Sequence, residues 1–324
     1  MKPAKTGKKR GFELLFFIII LLSGSCVFYN PSPVSDDIDL FQYQPFSEKN
    51  KLAVLEEEPG FRLFYDLPVL DGATALYPLY AAFAQAVYPE GIYSTNGRDS
   101  IVGWNRTDRA FERLIAGEAD LIFCAHPSED QIKRAEENGR DLIMTPIGIE
   151  AFVFFVNNRN LVNNLDTTQI RGIYSGRITN WKDLGGKKKD IKVYQREKNS
   201  GSQTMLISIM GEETIIEPET ENVLGFMGEM VTRVTEYRNK NNAIGYSFLF
   251  FTTQMVQNKK IRLLSINGIM PSKETIQNGT YPYTDYFYAI TIDTNKKNVN
   301  DFIEWMISPQ GQFLVEKTGY IPVK

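Results

Sequence analysis

Residues 67–76 read Leu67-Pro68-Val69-Leu70-Asp71-Gly72-Ala73-Thr74-Ala75-Leu76. The apolar start has the composition of a buried strand, and Asp71-Gly72-Ala73-Thr74 has that of a turn. A helix is then predicted from Pro78 to Tyr88, with proline in the first turn, where its missing N–H costs nothing. The same order of strand, turn and helix recurs downstream. Ile101 to Trp104 reads as a strand end, Thr107 as the N-cap of a helix through Ala116, and Gly117 as its stop. Asp120 to Cys124, Leu142-Ile143 and Glu150 to Val156 read as further strands. Alternation of this kind predicts a three-layer α/β lobe.

A second unit begins near Asn157. Asp166 to Ile170 reads as a capped helix, Asn180 to Gly186 as a helix ending in a glycine turn, and Ile191 to Tyr194 as a strand. Ser202 to Met210 reads as a helix and Ala243 to Ser247 as a strand. Tyr286 to Ile292 then gives a strand back in the first lobe, and Asn300 to Ile307 the terminal helix. The expected division is a first lobe of 60–155 plus 250–324 and a second of 156–249.

The first 26 residues read as an export segment. Lys2, Lys5, Lys8, Lys9 and Arg10 precede the apolar run Leu14 to Leu22, which is too short for a bilayer span of roughly 20 residues. Ser23-Gly24-Ser25-Cys26 follows and resembles a bacterial lipobox, so Cys26 is expected to carry lipid at the mature N-terminus, with a plain cleaved signal or an uncleaved anchor as the alternatives. Residues 27–59, rich in proline and acidic side chains, are expected to tether the folded body to the membrane, with Phe41, Tyr43 and Phe46 docking the middle of the tether. The protein is then exported and faces the periplasm or cell exterior.

The formal net charge of -3, without a basic stripe interleaved with aromatics, argues against a nucleic-acid partner. His126 is the only histidine, so no histidine-rich metal site and no cofactor are expected; with Cys26 lipidated, Cys124 has no disulfide partner. Cys124 and His126 would point the same way along a strand, but the sequence offers no orienting group or oxyanion hole, so no catalysis is expected.

Three segments place small or hydroxyl residues between a strand and a helix: Asp71 to Ala75, Asn105 to Asp108, and Asn199 to Thr204. The first N–H groups of a helix lack partners within it, and the helix dipole adds positive charge there, which suits an anion. Arg196 stands four residues before Ser200. On spacing alone the plainer reading, ordinary caps and a surface arginine, stays ahead.

Further runs change that balance. Ile173-Tyr174-Ser175-Gly176-Arg177-Ile178-Thr179-Asn180-Trp181 resembles the phosphate-binding subunit of ABC phosphate importers, as do Arg196 with Ser200-Gly201-Ser202, Ala243-Ile244-Gly245-Tyr246, and Ser308-Pro309-Gln310-Gly311-Gln312. Asp71 to Ala75 is similar to that family's first anion loop, and the likeness runs from about 65 to 324. The resemblance implies a two-lobed periplasmic-binding-protein fold of type II, α/β lobes joined by two crossover strands, with ligand sealed in the cleft. It implies a monomer that binds phosphate or a related oxyanion and meets an ABC permease. By position, Arg196 would set its guanidinium on the anion. Ser200, Gly201 and Ser202 would supply donors from one lobe, and Thr74 with the N–H groups of Ala75 and Leu76 from the other; Thr107 opens the remaining helix.

Two loops depart from the family pattern. Cys124-Ala125-His126-Pro127-Ser128 lacks the carboxylate or arginine usual there, and Asn105-Arg106-Thr107-Asp108 lacks the usual serine and glycine. His126 or Asp108 could accept a phosphate proton in their stead. The ligand therefore stays open to sulfate, another oxyanion or a small organic acid, and the scaffold to a sensory or adhesion role.

Overall fold

The computed structural model describes Met1 and residues 38–95, 99–239, 241–292 and 296–323. Cys26 and the export segment lie outside the described residues, and among those described no helix is long and apolar enough to cross a membrane. In chain order come β1 (Leu70–Gly72), α1 (Tyr77–Val87), α2 (Thr107–Ile115), β2 (Leu121–Ala125), α3 (Glu129–Glu137) and the long β3 (Leu142–Asn157). After these follow β4 (Asn164–Leu165), α4 (Thr167–Tyr174), β5 (Lys192–Val193), β6 (Gln195–Arg196) and α5 (Gly201–Met210). Then come β7 (Val223–Leu224), α6 (Met227–Thr235), β8 (Ala243–Phe248), β9 (Ile261–Leu263), β10 (Ser265–Ile266) and α7 (Lys273–Gln277). The chain ends with β11 (Thr284–Ile292), α8 (Lys297–Met306) and α9 (Pro309–Thr318).

Leu142-Ile143 and Glu150 to Val156, expected as two strands, are the ends of β3, which runs unbroken for 16 residues. Its first half pairs antiparallel with β11, from Leu142↔Ile292 to Ala151↔Thr284, and its second half with β8 from Phe152↔Phe248 onward. One sheet of order β1-β2-β11-β3-β8-β5, with β9 also on β3, thus spans two main cores, beside a smaller cluster of Phe111, Leu114, Ile122 and Ile290 where α2 meets β2 and β11. Around the first sheet half pack Leu79, Phe83, Phe123, Phe302 and Leu314. Around the second pack Phe154, Tyr174, Trp181, Leu206 and Tyr246. At about 25 cal/mol per Å² of apolar surface removed from water, such aromatic-rich cores are the main drive to fold.

Three boundaries differ from expectation. The chain does not settle in the first lobe at 250. Phe250 and Phe251 touch the first core, but Leu264, Ile266, Ile276, Tyr281 and Tyr283 pack in the second. The cause is hydrogen bonding to β3: the Leu264 N–H donates to Phe154 O at 2.9 Å and the Tyr281 hydroxyl to Phe152 O at 3.0 Å. The return comes with β11.

Of the expected tether, residues 38–59 lie on the first lobe. Ile38 and Leu40 join its core, Phe41 meets Trp104 edge-on at 5.2 Å, and Phe46 lies 5.8 Å from Tyr93. Gln310 fixes the end of this strap by accepting from the Gly60 N–H at 2.7 Å and donating to Glu58 O at 3.0 Å. Tyr43 and Phe46 pack against that core, whereas Phe41 is exposed and reaches it only through Trp104.

The helix after Asn300 is not the last. Ser308 caps α9, Pro309 opens it and Gly319 ends it at φ 116, so Ser308 to Gln312 is a helix start. Gly311 admits no side chain there, because a Cβ would lie 2.3 Å from Met306 O.

Candidate functional site

Asp71 organises the first two of the three helix-start loops. It is fully buried, and its Oδ1 accepts from the N–H groups of Gly72 at 2.8 Å and Asn105 at 2.7 Å. Its Oδ2 accepts from Asn105 Nδ2 at 2.7 Å and from Arg113, which is 2% exposed. A buried carboxylate needs such partners, because losing its water is otherwise very costly. One side chain thus holds the turn before α1 against the start of α2.

That second start is unusual. Thr107 is not the N-cap; Arg106 is, at φ 69 and without a side-chain cap. Left-handed backbone at a residue with a Cβ is strained, and it re-aims the chain so that Thr107 enters the helix and faces inward. The third start follows expectation: Ser200 caps α5, accepting from the Gln203 N–H at 3.3 Å. Asn199 before it, at φ 66, is the counterpart of Arg106.

The three starts converge. A cavity of about 40 Å³ is lined by Ala75 and Leu76 from the first, Thr107 from the second and Gly201 from the third. One water needs roughly 10–15 Å³ on this measure, so the space suits an ion of a few heavy atoms. A Cβ on Gly201 would sit 3.6 Å from both Thr107 Oγ1 and Ala125 Cβ, so the two halves meet here in a closed arrangement. Around the mouth, Asn199 O accepts from Gln131 Nε2 at 3.0 Å and Asn199 Oδ1 from the Ser128 hydroxyl at 2.9 Å. Asn199 Nδ2 donates to Asp130 at 2.8 Å. On the other flank the Arg106 guanidinium reaches Gly225 O at 3.3 Å and lies over the Phe226 ring at 4.9 Å.

The remaining expected ligands are placed differently. Thr74 begins the short turn Thr74–Leu76 but does not line the cavity. Ser200 serves as the cap of α5. Ser202 is 1% exposed and does not line the cavity, and among the described residues its hydroxyl has no hydrogen-bond partner. A buried donor left so is costly unless something outside the chain meets it. Arg196 is buried but does not line the cavity: its Nε donates to Leu224 O at 2.9 Å and its Nη2 to Gly225 O at 3.0 Å. Burial lowers its pKa to about 10, which leaves it charged at neutral pH.

His126 is exposed, with Nδ1 2.9 Å from Pro127 O, and does not line the cavity. Asp108 is tied to Gln131 at 3.1 Å and to Arg134, away from the lining. Neither stands where it could take a ligand proton in the closed form. Cys124 is fully buried, and burial pushes its thiol far up, opposite to what a nucleophile requires.

The sequence reading missed Glu150 and Asp285, which line the cavity with Met205, Met227, Phe248 and Tyr320. The signal was present: Glu150 is the lone charge in the run 146–156. Its oxygens accept from the N–H groups of Ala151 at 2.8 Å and Phe250 at 3.2 Å, yet burial outweighs these bonds and raises its pKa to about 8.

A sequence-family model described as the PBP superfamily domain matches residues 69–310. The phosphate-binding protein PstS of Borreliella burgdorferi is 27% identical over 202 residues, 61% of this chain and 71% of that protein. The PstS protein of Staphylococcus epidermidis is 26% identical over 225 residues, 66% and 67% of the two chains. Among solved structures, a phosphate ABC transporter substrate-binding protein of Clostridium perfringens with bound phosphate aligns at TM-score 0.62 and 23% identity, covering 79% of this chain and 98% of that one. A phosphate transport receptor of Vibrio cholerae aligns at TM-score 0.57 and 21% identity, covering 78% and 98%. Structural likenesses at these identities speak for the fold, a two-lobed α/β architecture.

Proposed function

The chain belongs to the PBP superfamily, and from that premise we propose that it is an extracytoplasmic binding protein that captures a small oxyanion, phosphate foremost, for an ABC importer, without catalysis. The observation that carries this reading is the meeting of three helix starts from both lobes, at Ala75-Leu76, Thr107 and Gly201, on one small closed cavity. Phosphate is preferred among oxyanions because the two relatives above carry the name phosphate-binding protein.

In this mechanism the anion first meets the donors of one lobe in the open form. Hinge closure about β3 and the lead into β11 then brings up Gly201 and Ser202 from α5. The ligand favours closure because only the closed form offers it both donor sets. The Ser202 hydroxyl gains its partner, and Arg196, braced on Leu224 and Gly225, contributes charge from behind the loop. Hydrogen bonds to a charged group are worth about 1.5–3 kcal/mol each, so several, less closure and desolvation, reach the roughly 8 kcal/mol of micromolar affinity.

Calorimetry at neutral pH with phosphate, sulfate and molybdate tests the reading. Micromolar phosphate binding is expected, with the others weaker. Silence from all three would remove the oxyanion reading. The export and lipid anchor proposed for Cys26 are tested separately: Cys26→Ser should abolish labelling by fatty acid and release the protein from the membrane fraction. A labelled, membrane-held serine variant would discard the anchor.

A further inference from the structure

The cavity proposed for the anion carries acid where base would be expected. Among its described lining residues there is no Lys, Arg or His, but there are two carboxyls, Glu150 and Asp285. They are register partners on β3 and β11, and antiparallel partners present their side chains on one face. Among the described residues neither is joined in an ion pair. Glu150 accepts from Ala151 and Phe250, and Asp285 Oδ1 from the Tyr286 N–H at 2.7 Å.

The other groups around Glu150 do not supply positive charge. From β11 come Asp285 and Tyr286. From the segment after α9 comes Tyr320, whose hydroxyl donates to Ala75 O at 2.5 Å. Thr107, Gly201, Met205, Met227 and Phe248 face the cavity from α2, α5, α6 and β8 without charge. Two ionised carboxylates and a dianion brought together in so small a space would repel one another strongly. Something must hold a proton.

Resting on the oxyanion reading, we propose that Glu150 meets the bound anion as the neutral acid, its hydroxyl donating to an anion oxygen, so that capture is coupled to a proton held on the Glu150–Asp285 pair. The proton is drawn from solvent and stays on a Glu150 carboxyl oxygen; no covalent bond to the ligand forms. The position adds a consequence for closure. Just beyond Glu150, between Ala151 and Phe152, β3 changes partner from β11 to β8, and the Glu150 carboxyl accepts from the N–H of Phe250, whose ring stacks 4.4 Å from Tyr320. The group that meets the ligand is therefore tied into the hinge.

The sign follows from burial, which raises Glu150 to about 8: below that pH it keeps its proton and receives the anion, and above it ionisation opposes binding. The test is the affinity of the intact protein for inorganic phosphate from pH 7 to 9.5, measured in buffers of different ionisation enthalpy. Wild type should lose about tenfold in affinity between pH 8 and 9.5, with proton uptake on binding rising towards one per phosphate. Glu150→Gln, which mimics the neutral acid, should lose that slope and bind at least tenfold more tightly than wild type at pH 9.5. Asp285→Asn, a second variant in case the first fails to fold, should keep a slope. A flat wild-type profile, or a Glu150→Gln profile parallel to it, overturns the proposal, as does loss of the slope in Asp285→Asn alone. No phosphate binding by wild type even at pH 7 is distinguishable from these: it removes the oxyanion reading itself, and this inference with it.

Discussion

Replacing Arg113 by methionine should lower the unfolding free energy by about 3–5 kcal/mol, one of the largest losses available outside the hydrophobic cores. Arg113 and Asp71 are 2% and 0% exposed, and their ion pair lies beneath the loops that begin α1 and α2. The guanidinium also donates to Ser100 Oγ at 3.1 Å and to Glu118 O at 3.3 Å. Methionine fills much of the volume but leaves Asp71 as a buried anion with only N–H donors from Gly72 and Asn105. The cost is chiefly that of the charge left behind. The double variant Asp71→Asn with Arg113→Met should therefore be more stable than Arg113→Met alone, a non-additivity of about 1–3 kcal/mol for contacting residues. Denaturant unfolding of the four proteins measures it. If the double variant is the least stable by simple addition, the pair is not a unit. Because the same pair aligns Ala75-Leu76 with Thr107, phosphate affinity should fall in the single variant even at temperatures where it is folded.

How much of this was legible beforehand depends on the range of the interaction. The helix starts at Pro78, Asp166 and Ser200 follow from a cap or a proline a few residues away, and the structure places α1, α4 and α5 there. Local chemistry decides them. The run Leu142-Ile143 to Val156 reads as two strands because Pro146 and Gly148 interrupt its apolar pattern. In the structure Pro146 is exposed and falls at a register shift opposite Phe287/Tyr288, where a missing donor is tolerated. Gly148 is needed because a Cβ would lie 2.2 Å from the Phe287 ring.

What the sequence does not disclose is tertiary. Thr107 reads as a cap by composition, but the strain at Arg106 moves it into the helix. Arg196 is identified from family position, yet its fork is engaged by carbonyls of Leu224 and Gly225, brought up by the pairing of β6 with β7, a contact between residues nearly thirty apart. Glu150 and Asp285 are separated by 135 positions and meet only through the register of β3 with β11. A cavity assembled from chain segments so distant has no short motif, and only its individual helix starts can be seen from sequence.

The most direct consequence of that assembly lies at Gly201. Its Cβ position is 3.6 Å from Thr107 Oγ1 and from Ala125 Cβ across the cleft, an ordinary contact distance. An alanine methyl would just fill it. Valine adds two further methyls about 1.5 Å beyond the Cβ, closer to both neighbours than carbon and oxygen allow. The halves could then approach only with the mouth ajar, stretching the Gln131–Asn199 and Ser128–Asn199 hydrogen bonds beyond their 3.0 and 2.9 Å. If ligand holds only to the closed form, apparent affinity falls by the fraction of molecules able to close, so a closed population cut to about 1% weakens binding about 100-fold. Gly201→Val should therefore lose two orders of magnitude or more in phosphate affinity, and Gly201→Ala about tenfold or less. The Thr107–Gly201 contact lies at the cleft and Gly201 belongs to neither hydrophobic core, so the melting temperature of unliganded Gly201→Val should stay within a few degrees of wild type. Small-angle scattering supplies the second readout: wild type should contract on adding phosphate and the valine variant should not. A valine variant that binds phosphate as tightly as wild type, and contracts with it, would mean that the two lobes do not close on the ligand at this contact.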